Sequence, residues 1–252
     1  MTAPALITLA HGSRDPRSAA TITALTERLA QMRPDLRILP AFLDLSEPDL
    51  DATVDRLVFE GHSEIVVVPM LLTEAHHARV DVPRAVEAAQ ARHEGLRLQT
   101  TSVLGVEGAF LQVLDRRLRE ALSERRVREL DALVLAGAGS SDPVANAVIA
   151  RAARAWGAHH KLPTIAAFAS SAPPAAGEAV RAHRADGRRH IAVAQLMLAP
   201  GLLPDRVKEL AYEAGAVAVA EPLGVADEVA EVVLARYAVG AVELVALDFA
   251  QV

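Results

Sequence analysis

The chain of 252 residues contains one long unit twice. The dipeptide at 15–16 (DP) recurs at 142–143, an offset of 127, and the tripeptide at 104–106 (LGV) recurs at 223–225, an offset of 119. A duplicated unit of about 125 residues predicts two similar lobes related by a pseudo-twofold axis. The further matches, all at an offset of 126, are Phe42 with Phe168, Pro48 with Pro174, Val54 with Val180, Gly61 with Gly187 and Ile65 with Ile191.

Short apolar runs alternate with stretches of helix length in both copies. Strands separated by helices of 10–15 residues are typical of βαβ units, so we predict an α/β protein with a parallel sheet in each lobe. The charged stretch 123–129 (SERRVRE) is the expected boundary, giving an N-terminal lobe 1–125 and a C-terminal lobe 126–252. The predicted strands are 6–10, 36–43, 65–72, 97–103, 132–136, 164–168, 191–198 and 217–221. The predicted helices include 17–32, 49–60, 82–91, 109–122, 144–156 and 227–237.

Composition removes several classes of function. The absence of cysteine excludes disulfides, thiolate nucleophiles, iron–sulfur clusters and cysteine zinc sites. A net charge of −6 makes bulk attraction to nucleic acid or an anionic membrane unfavourable. With neither a targeting signal nor an apolar run long enough to span a membrane, we expect a soluble cytoplasmic protein.

The two copies differ in their polar residues at the ends of the predicted strands. Side chains that could bind a metal or transfer a proton occur in the first copy and are replaced in the second. In open α/β sheets, ligands bind beyond the carboxyl ends of the strands, so we expect the first lobe to carry the active site and the second to be a degenerate copy. The aligned pairs are His11 with Ala138, Arg14 with Ser141, Asp44 with Ser170, Glu47 with Pro173, Glu74 with Pro200, His76 with Leu202 and His77 with Leu203.

Two histidines are the best candidates. His11 ends a buried strand and is followed by Gly12 and Ser13, and His77 follows the third strand. Neutral imidazole binds first-row divalent metals and accepts protons near pH 7. Glu74 is either a further proton-transfer group or a solvated loop acid.

Other polar residues have simpler interpretations. Asp44 and Glu47 either assist the site or are charges at a helix N-terminus, and Asp81 is expected to be an N-cap. His76 is a weaker candidate than its neighbour, because adjacent loop side chains seldom both point inward. His159-His160 is predicted to be a connection that binds metal only adventitiously.

Three motifs together resemble the CbiX/SirB family of sirohydrochlorin chelatases. Residues 9–16 (LAHGSRDP) resemble the first motif of that family, residues 42–48 (FLDLSEP) the second, and residues 66–83 the third. Residues 198–206 (LAPGLLPDR) are similar to the second half of the long, duplicated members. The loop before His77 departs from the family pattern, because it lacks the glycine-rich stretch found in many members.

The resemblance implies a class II chelatase fold of two flavodoxin-like lobes. It implies a lyase that inserts Fe²⁺ or Co²⁺ into sirohydrochlorin in sirohaem or cobalamin biosynthesis, with Ni²⁺ a third option, and with no cofactor beyond the metal substrate. Sirohydrochlorin would be the partner, with no nucleic acid and no membrane. The duplication would let the chain act as a monomer.

The resemblance also assigns roles to residues. His11 and His77 would be the catalytic, metal-handling histidines. Glu74 is a further catalytic candidate that comes from the comparison of the two copies and not from the resemblance. Insertion releases two pyrrole protons, so bases must lie near the metal. Sirohydrochlorin is a polycarboxylate, and Arg14 and Arg79, together with Ser13, would bind it through charge-assisted hydrogen bonds.

Rival functions remain at this point. His11-Gly12 suggests a histidine phosphatase, but that chemistry normally needs an arginine directly before the histidine, and this chain has Ala10 there. A serine hydrolase using Ser13 lacks the Gly-x-Ser-x-Gly elbow. A non-catalytic tetrapyrrole or metal carrier with the same fold is the alternative that the sequence does not separate from an enzyme.

Overall fold

A computed structural model describes residues 3–74 and 77–250, with the side chains of residues 77, 78, 245 and 247–250 outside the description. A π-helical turn spans His77–Asp81. The strands are β1 (Ala5–Ala10), β2 (Ile38–Phe42), β3 (Glu64–Pro69), β4 (Arg97–Thr100), β5 (Ala132–Gly137), β6 (Thr164–Phe168), β7 (Ile191–Leu196) and β8 (Ala218–Val219). The helices are α1 (Pro16–Met32), α2 (Leu50–Phe59), α3 (Val82–Ala91), α4 (Gly108–Glu124), α5 (Pro143–His160), α6 (Ala176–Ala185), α7 (Leu202–Glu213) and α8 (Asp227–Ala250).

The strands form two parallel sheets of the same topology. Their orders are β2-β1-β3-β4 and β6-β5-β7-β8, which is the order of a flavodoxin-like sheet. Register repeats the offsets of the sequence: Val66 pairs with Gln99, and Ala192, 126 residues after Val66, pairs with Ala218, 119 residues after Gln99. The predicted α/β class, with a parallel sheet in each of two similar lobes, is therefore confirmed.

The central strand of each sheet is buried along its whole length. Both faces of a parallel strand are covered by helices, and for this reason β1 and β5 are apolar almost throughout. The exception in β1 is Thr8, whose hydroxyl lies 2.7 Å from that of Thr26 on α1. Thr26 in turn donates to the backbone oxygen of Ile22. This buried hydrogen bond fixes α1 against β1, so the loop between them is anchored at both ends.

The compact units differ from the two lobes predicted at 1–125 and 126–252. One unit consists of residues 1–105 and 225–252, and the other of residues 106–224. The difference comes from the last helix of each copy: α4 packs with β7 and β8 in the second unit, and α8 packs with β3 and β4 in the first. Local sequence patterns predict a helix but not which sheet it covers.

Helix α8 is more than twice as long as the predicted helix 227–237. It continues through Gly240, where a Cβ would come within 2.7 Å of the Val66 side chain. Glycine therefore lets the helix approach β3 closely. Tyr237 also donates its hydroxyl to the backbone oxygen of Pro4. In the described part of the chain, no helix is both long and apolar enough to cross a membrane.

One histidine interpretation is wrong. His159 and His160 are the last residues of α5 rather than a connection. Another histidine, His183, lies in α6 and is only 3% exposed. Its Nε2 atom lies 2.9 Å from the backbone oxygen of Leu133, so a buried hydrogen bond offsets the cost of burying the ring.

Candidate functional site

The loop after β1 carries the first candidate histidine. His11 follows the strand directly, its side chain is partly buried, and its Nδ1 atom is buried. The backbone N–H of Asp44, in the loop after β2, donates to the His11 carbonyl oxygen at 3.0 Å. Gly12 has φ +94°, and a Cβ there would overlap the carbonyl oxygen of Asp44. Only glycine permits this close passage of the two loops, which sets the position of His11.

Ser13 is held by a reciprocal pair of hydrogen bonds. Its backbone N–H donates to Ser46 Oγ, and Ser46 Oγ donates to the Ser13 carbonyl oxygen, both at 3.1 Å. Ser13 Oγ accepts from the backbone N–H of Asp15 at 3.0 Å. The Ser13 hydroxyl therefore shapes the turn, while its proton can still be donated to a ligand oxygen.

Asp15 starts α1 and is not a proton-transfer group. Its carboxylate accepts from the backbone N–H of Arg17 at 3.0 Å, as an N-cap does. The Arg17 guanidinium also donates to it and holds the pKa of Asp15 below its usual value. The carboxylate therefore stays charged at neutral pH. Arg14, one residue earlier, is exposed.

The segment after β3 begins at the same edge of the same sheet. β1 and β3 are neighbours, and the Met70 N–H donates to the Leu9 carbonyl oxygen at 2.8 Å. The chain then reaches Glu74, which is exposed, and the π-helical turn that contains Arg79, also exposed. π-Helical turns are rare and are frequent at functional sites.

The histidines of this segment are described only in part. His76 lies outside the described residues, and of His77 the backbone alone is described, as the first residue of the π-helical turn. His11 follows β1 directly, whereas Glu74 and the His77 backbone come five and eight residues after the end of β3, the neighbouring strand of the same sheet. The catalytic and binding roles assigned to these residues remain predictions.

The neighbouring acids have structural roles. Asp44 Oδ1 accepts from the Leu45 N–H at 2.8 Å, and Glu47 Oε2 accepts from the Asp49 N–H at 3.2 Å, just before α2. These contacts support the interpretation as loop and helix N-terminal charges. Asp81 precedes α3, but its side chain makes no capping bond, because its helical backbone continues from the π-helical turn.

The second copy reproduces the backbone of the first loop without its imidazole. The Ser170 N–H donates to the Ala138 carbonyl oxygen at 3.0 Å, as Asp44 does to His11. Gly139 has φ +86° and would meet the carbonyl oxygen of Ser170 in the same way. The scaffold is therefore common to both copies, and the polar side chain belongs to the first alone.

Sequence reasoning missed the residues that brace each loop. Ser46 performs this task in the first unit, and Asn146 does so in the second, where its Nδ2 donates to the Ser140 carbonyl oxygen at 2.7 Å. The repeat held the signal: Ser46 aligns with Ala172, whereas Asn146 aligns with Ala19. Each copy keeps one brace and carries alanine at the position of the other.

Fold and loop together define a class of protein: a duplicated α/β chain in which a histidine loop follows the central strand of one sheet and an alanine stands in its place in the other. Comparison with protein families gives this class its name. The family model for CbiX matches residues 5–121 and again residues 132–239. The chain therefore belongs to the CbiX family, and the two matches coincide with the two copies of the repeat.

Curated relatives carry chelatase names. A sirohydrochlorin cobaltochelatase of Priestia megaterium is 25% identical over 206 residues, which are 79% of this chain and 66% of that protein. A sirohydrochlorin ferrochelatase of the same organism is 26% identical over 209 residues, 81% of this chain and 77% of that protein. The match thus spans just under two thirds of the first relative and about three quarters of the second.

Solved structures share the fold. SirB from Bacillus subtilis with Fe³⁺ superposes with a TM-score of 0.78 at 22% identity, covering 95% of this chain and 96% of that one. CbiX, described as the terminal enzyme for biosynthesis of siroheme in denitrifying bacteria, gives a TM-score of 0.67 at 20% identity over 92% of this chain and 98% of that one. The predicted chelatase class II fold is confirmed.

Proposed function

We propose that this protein inserts a divalent metal, Fe²⁺ or Co²⁺, into sirohydrochlorin. The observation that carries the proposal is the contrast between the two loops, which share their backbone hydrogen bonds but place an imidazole, His11, in the first unit only. A scaffold role alone needs no histidine there, since Ala138 fills the matching position. Membership of the CbiX family and the chelatase names of the relatives support this function.

In the proposed reaction, M²⁺ replaces two pyrrole protons of the macrocycle. Because the Nδ1 of His11 is buried, we assign Nε2 as the atom that binds the incoming metal or accepts a proton. His77 would provide the second imidazole from the segment after the neighbouring strand, and Glu74, exposed in the same segment, would pass protons to solvent. The metal is a substrate here and leaves with the product.

The macrocycle would be held by groups of the same edge. Arg14 and Arg79 are exposed, one on each of the two loops, and their guanidinium groups suit the carboxylates of sirohydrochlorin. The Ser13 hydroxyl proton can add one hydrogen bond. The duplication supplies both lobes within one chain, so we propose a monomer, and we place the protein in the cytoplasm.

Insertion is tested by mixing the purified chain with sirohydrochlorin and Fe²⁺, Co²⁺ or Ni²⁺ in turn and following the absorbance of the macrocycle. The proposal expects a rate above that of the buffer with Fe²⁺ or Co²⁺. Tight binding of sirohydrochlorin without acceleration by any metal would favour the carrier and overturn the proposal.

Replacing Arg14 or Arg79 by alanine should raise the KM for sirohydrochlorin and leave kcat nearly unchanged. Loss of one charge-assisted hydrogen bond at an exposed position is expected to cost about 1.5 kcal/mol, or about tenfold in KM. Added salt screens such contacts, so wild-type KM should rise with ionic strength more steeply than that of either variant.

The matched control for this measurement is Arg154→Ala, an exposed arginine of α5 in the second copy. Its KM should equal that of the wild type at low and high salt. If neither Arg14→Ala nor Arg79→Ala changes KM at low salt, the macrocycle does not bind at this edge of the first sheet.

A further inference from the structure

A second group of metal-ligating side chains lies in the unit formed by residues 106–224. Asp115 of α4 meets His159 and His160 at the end of α5, and one ligand atom from each lies within 4.8 Å of the other two. This is the one such group of three among the described side chains. The sequence gives only the histidine pair, and the fold adds the carboxylate, which is 44 residues away.

The carboxylate of Asp115 is oriented by the two neighbours that bind its Oδ1 atom. Trp156 Nε1 donates to Oδ1 at 2.6 Å, and His160 Nε2 lies 2.8 Å from the same atom. Oδ2 lies 4.0 Å from His159 Nε2. Carboxylates that bind metals are themselves held by hydrogen-bond donors in the outer shell of the site. Trp156 is placed to act as such a donor to Asp115.

The 4.0 Å between His159 Nε2 and Asp115 Oδ2 is close to the separation of two ligands of one ion. With bonds of about 2.1 Å, two ligands of a tetrahedral ion lie about 3.4 Å apart. His159 Nε2 must move by about half an ångström to reach that separation from Oδ2. The His159 side chain is 71% exposed and can make this adjustment. An ion would take the place of the His160 hydrogen bond to Asp115, while the Trp156 bond remains.

The local charge also favours a cation. His159 and His160 end α5, and the C-terminal end of a helix dipole attracts positive charge. Arg119, one helical turn after Asp115 on α4, donates to the backbone oxygen of Asp115.

We propose that Asp115, His159 and His160 form a binding site for a first-row divalent ion such as Zn²⁺, with water completing the coordination. Imidazole and carboxylate ligands suit Zn²⁺, Co²⁺ and Ni²⁺ alike. This site is independent of the proposed chelatase function, since none of its residues lies in the loops that carry His11 and Glu74.

Trp156 makes the site observable by itself. It is the one tryptophan of the sequence, and its ring centroid lies 5.1 Å from that of His160. In a ¹H–¹⁵N correlation spectrum of the full chain, the single indole N–H signal reports on this hydrogen bond. Titration with Zn²⁺ should shift that signal along one saturable curve.

His159→Gln should raise the Zn²⁺ concentration at the midpoint of this curve by at least about tenfold. Removal of even an outer-shell partner costs about 10–100-fold in metal affinity. His190→Ala is the matched control. His190 is also exposed and lies 3.9 Å from Asp131, but among the described residues these two belong to no group of three metal-ligating side chains. It should titrate like the wild type, and so should His11→Ala. No saturable shift, or an equal shift in His159→Gln, would overturn the proposal.

Discussion

Replacing His11 by alanine is expected to lower the rate of metal insertion by at least about 100-fold, the usual contribution of a positioned general acid or base. The proposed reaction needs a group that binds the metal or takes up a pyrrole proton, and alanine does neither. The fold should survive, because Ala138 occupies the same place in the second loop with the same backbone hydrogen bonds. The measurement is the initial rate with sirohydrochlorin and the preferred metal, together with the melting temperature.

The control for this variant is His190→Ala, an exposed histidine of the other unit. It should insert metal at the wild-type rate. A wild-type rate in His11→Ala itself would remove this residue from the mechanism. A large fall in its melting temperature would show that the imidazole supports the loop instead.

Gly12→Ala is expected to destabilise the protein by about 3–5 kcal/mol, the sum of backbone strain at positive φ and of a forced shift of packed atoms. Gly12 has φ +94°, and an added Cβ would overlap the carbonyl oxygen of Asp44. Both atoms of this contact are fixed to the backbone and neither belongs to a flexible side chain. The overlap can be removed only if the loop after β1 and the loop after β2 move apart. Urea unfolding, followed by circular dichroism, measures the loss.

Gly61→Ala is the matched control, because Gly61 has nearly the same φ, +91°, but no heavy atom within 4 Å of the added Cβ. It should cost only the strain term, about 1–2 kcal/mol. Gly139→Ala, which meets the carbonyl oxygen of Ser170, should resemble Gly12→Ala in stability. Equal losses for Gly12→Ala and Gly61→Ala would mean that the contact between the two loops is not tight.

Most of the fold could be predicted from the sequence, because each copy of the repeat could be compared with the other. The offsets of 126 and 119 in matching residues are the offsets of the strand register, as the pairs Val66 with Gln99 and Ala192 with Ala218 demonstrate. The alternation of apolar runs and helices then sufficed for two parallel sheets. Helix ends and helix partners were harder, since they depend on contacts between distant residues.

Three residues illustrate that difficulty. Gly240 lies beyond the end of the predicted helix and is a close contact of α8 with β3. Ser46 resembles a loop residue and in fact braces the Ser13 turn. Asp115 resembles a surface acid of α4, and only the fold places it beside His159 and His160. For the candidate active site, the strand ends that carry the chemistry stay a prediction from the sequence, and the structure adds how the His11 loop is held.

The number of insertions that each chain performs tests the proposed function. Sirohydrochlorin and Co²⁺ in large excess over the protein are followed to completion by absorbance, with wild type, His11→Ala and buffer in parallel. The proposed function predicts that wild-type product exceeds the protein concentration many times over, while His11→Ala stays close to the buffer. Product that stops at one equivalent of protein, or that forms equally fast with His11→Ala, would contradict it.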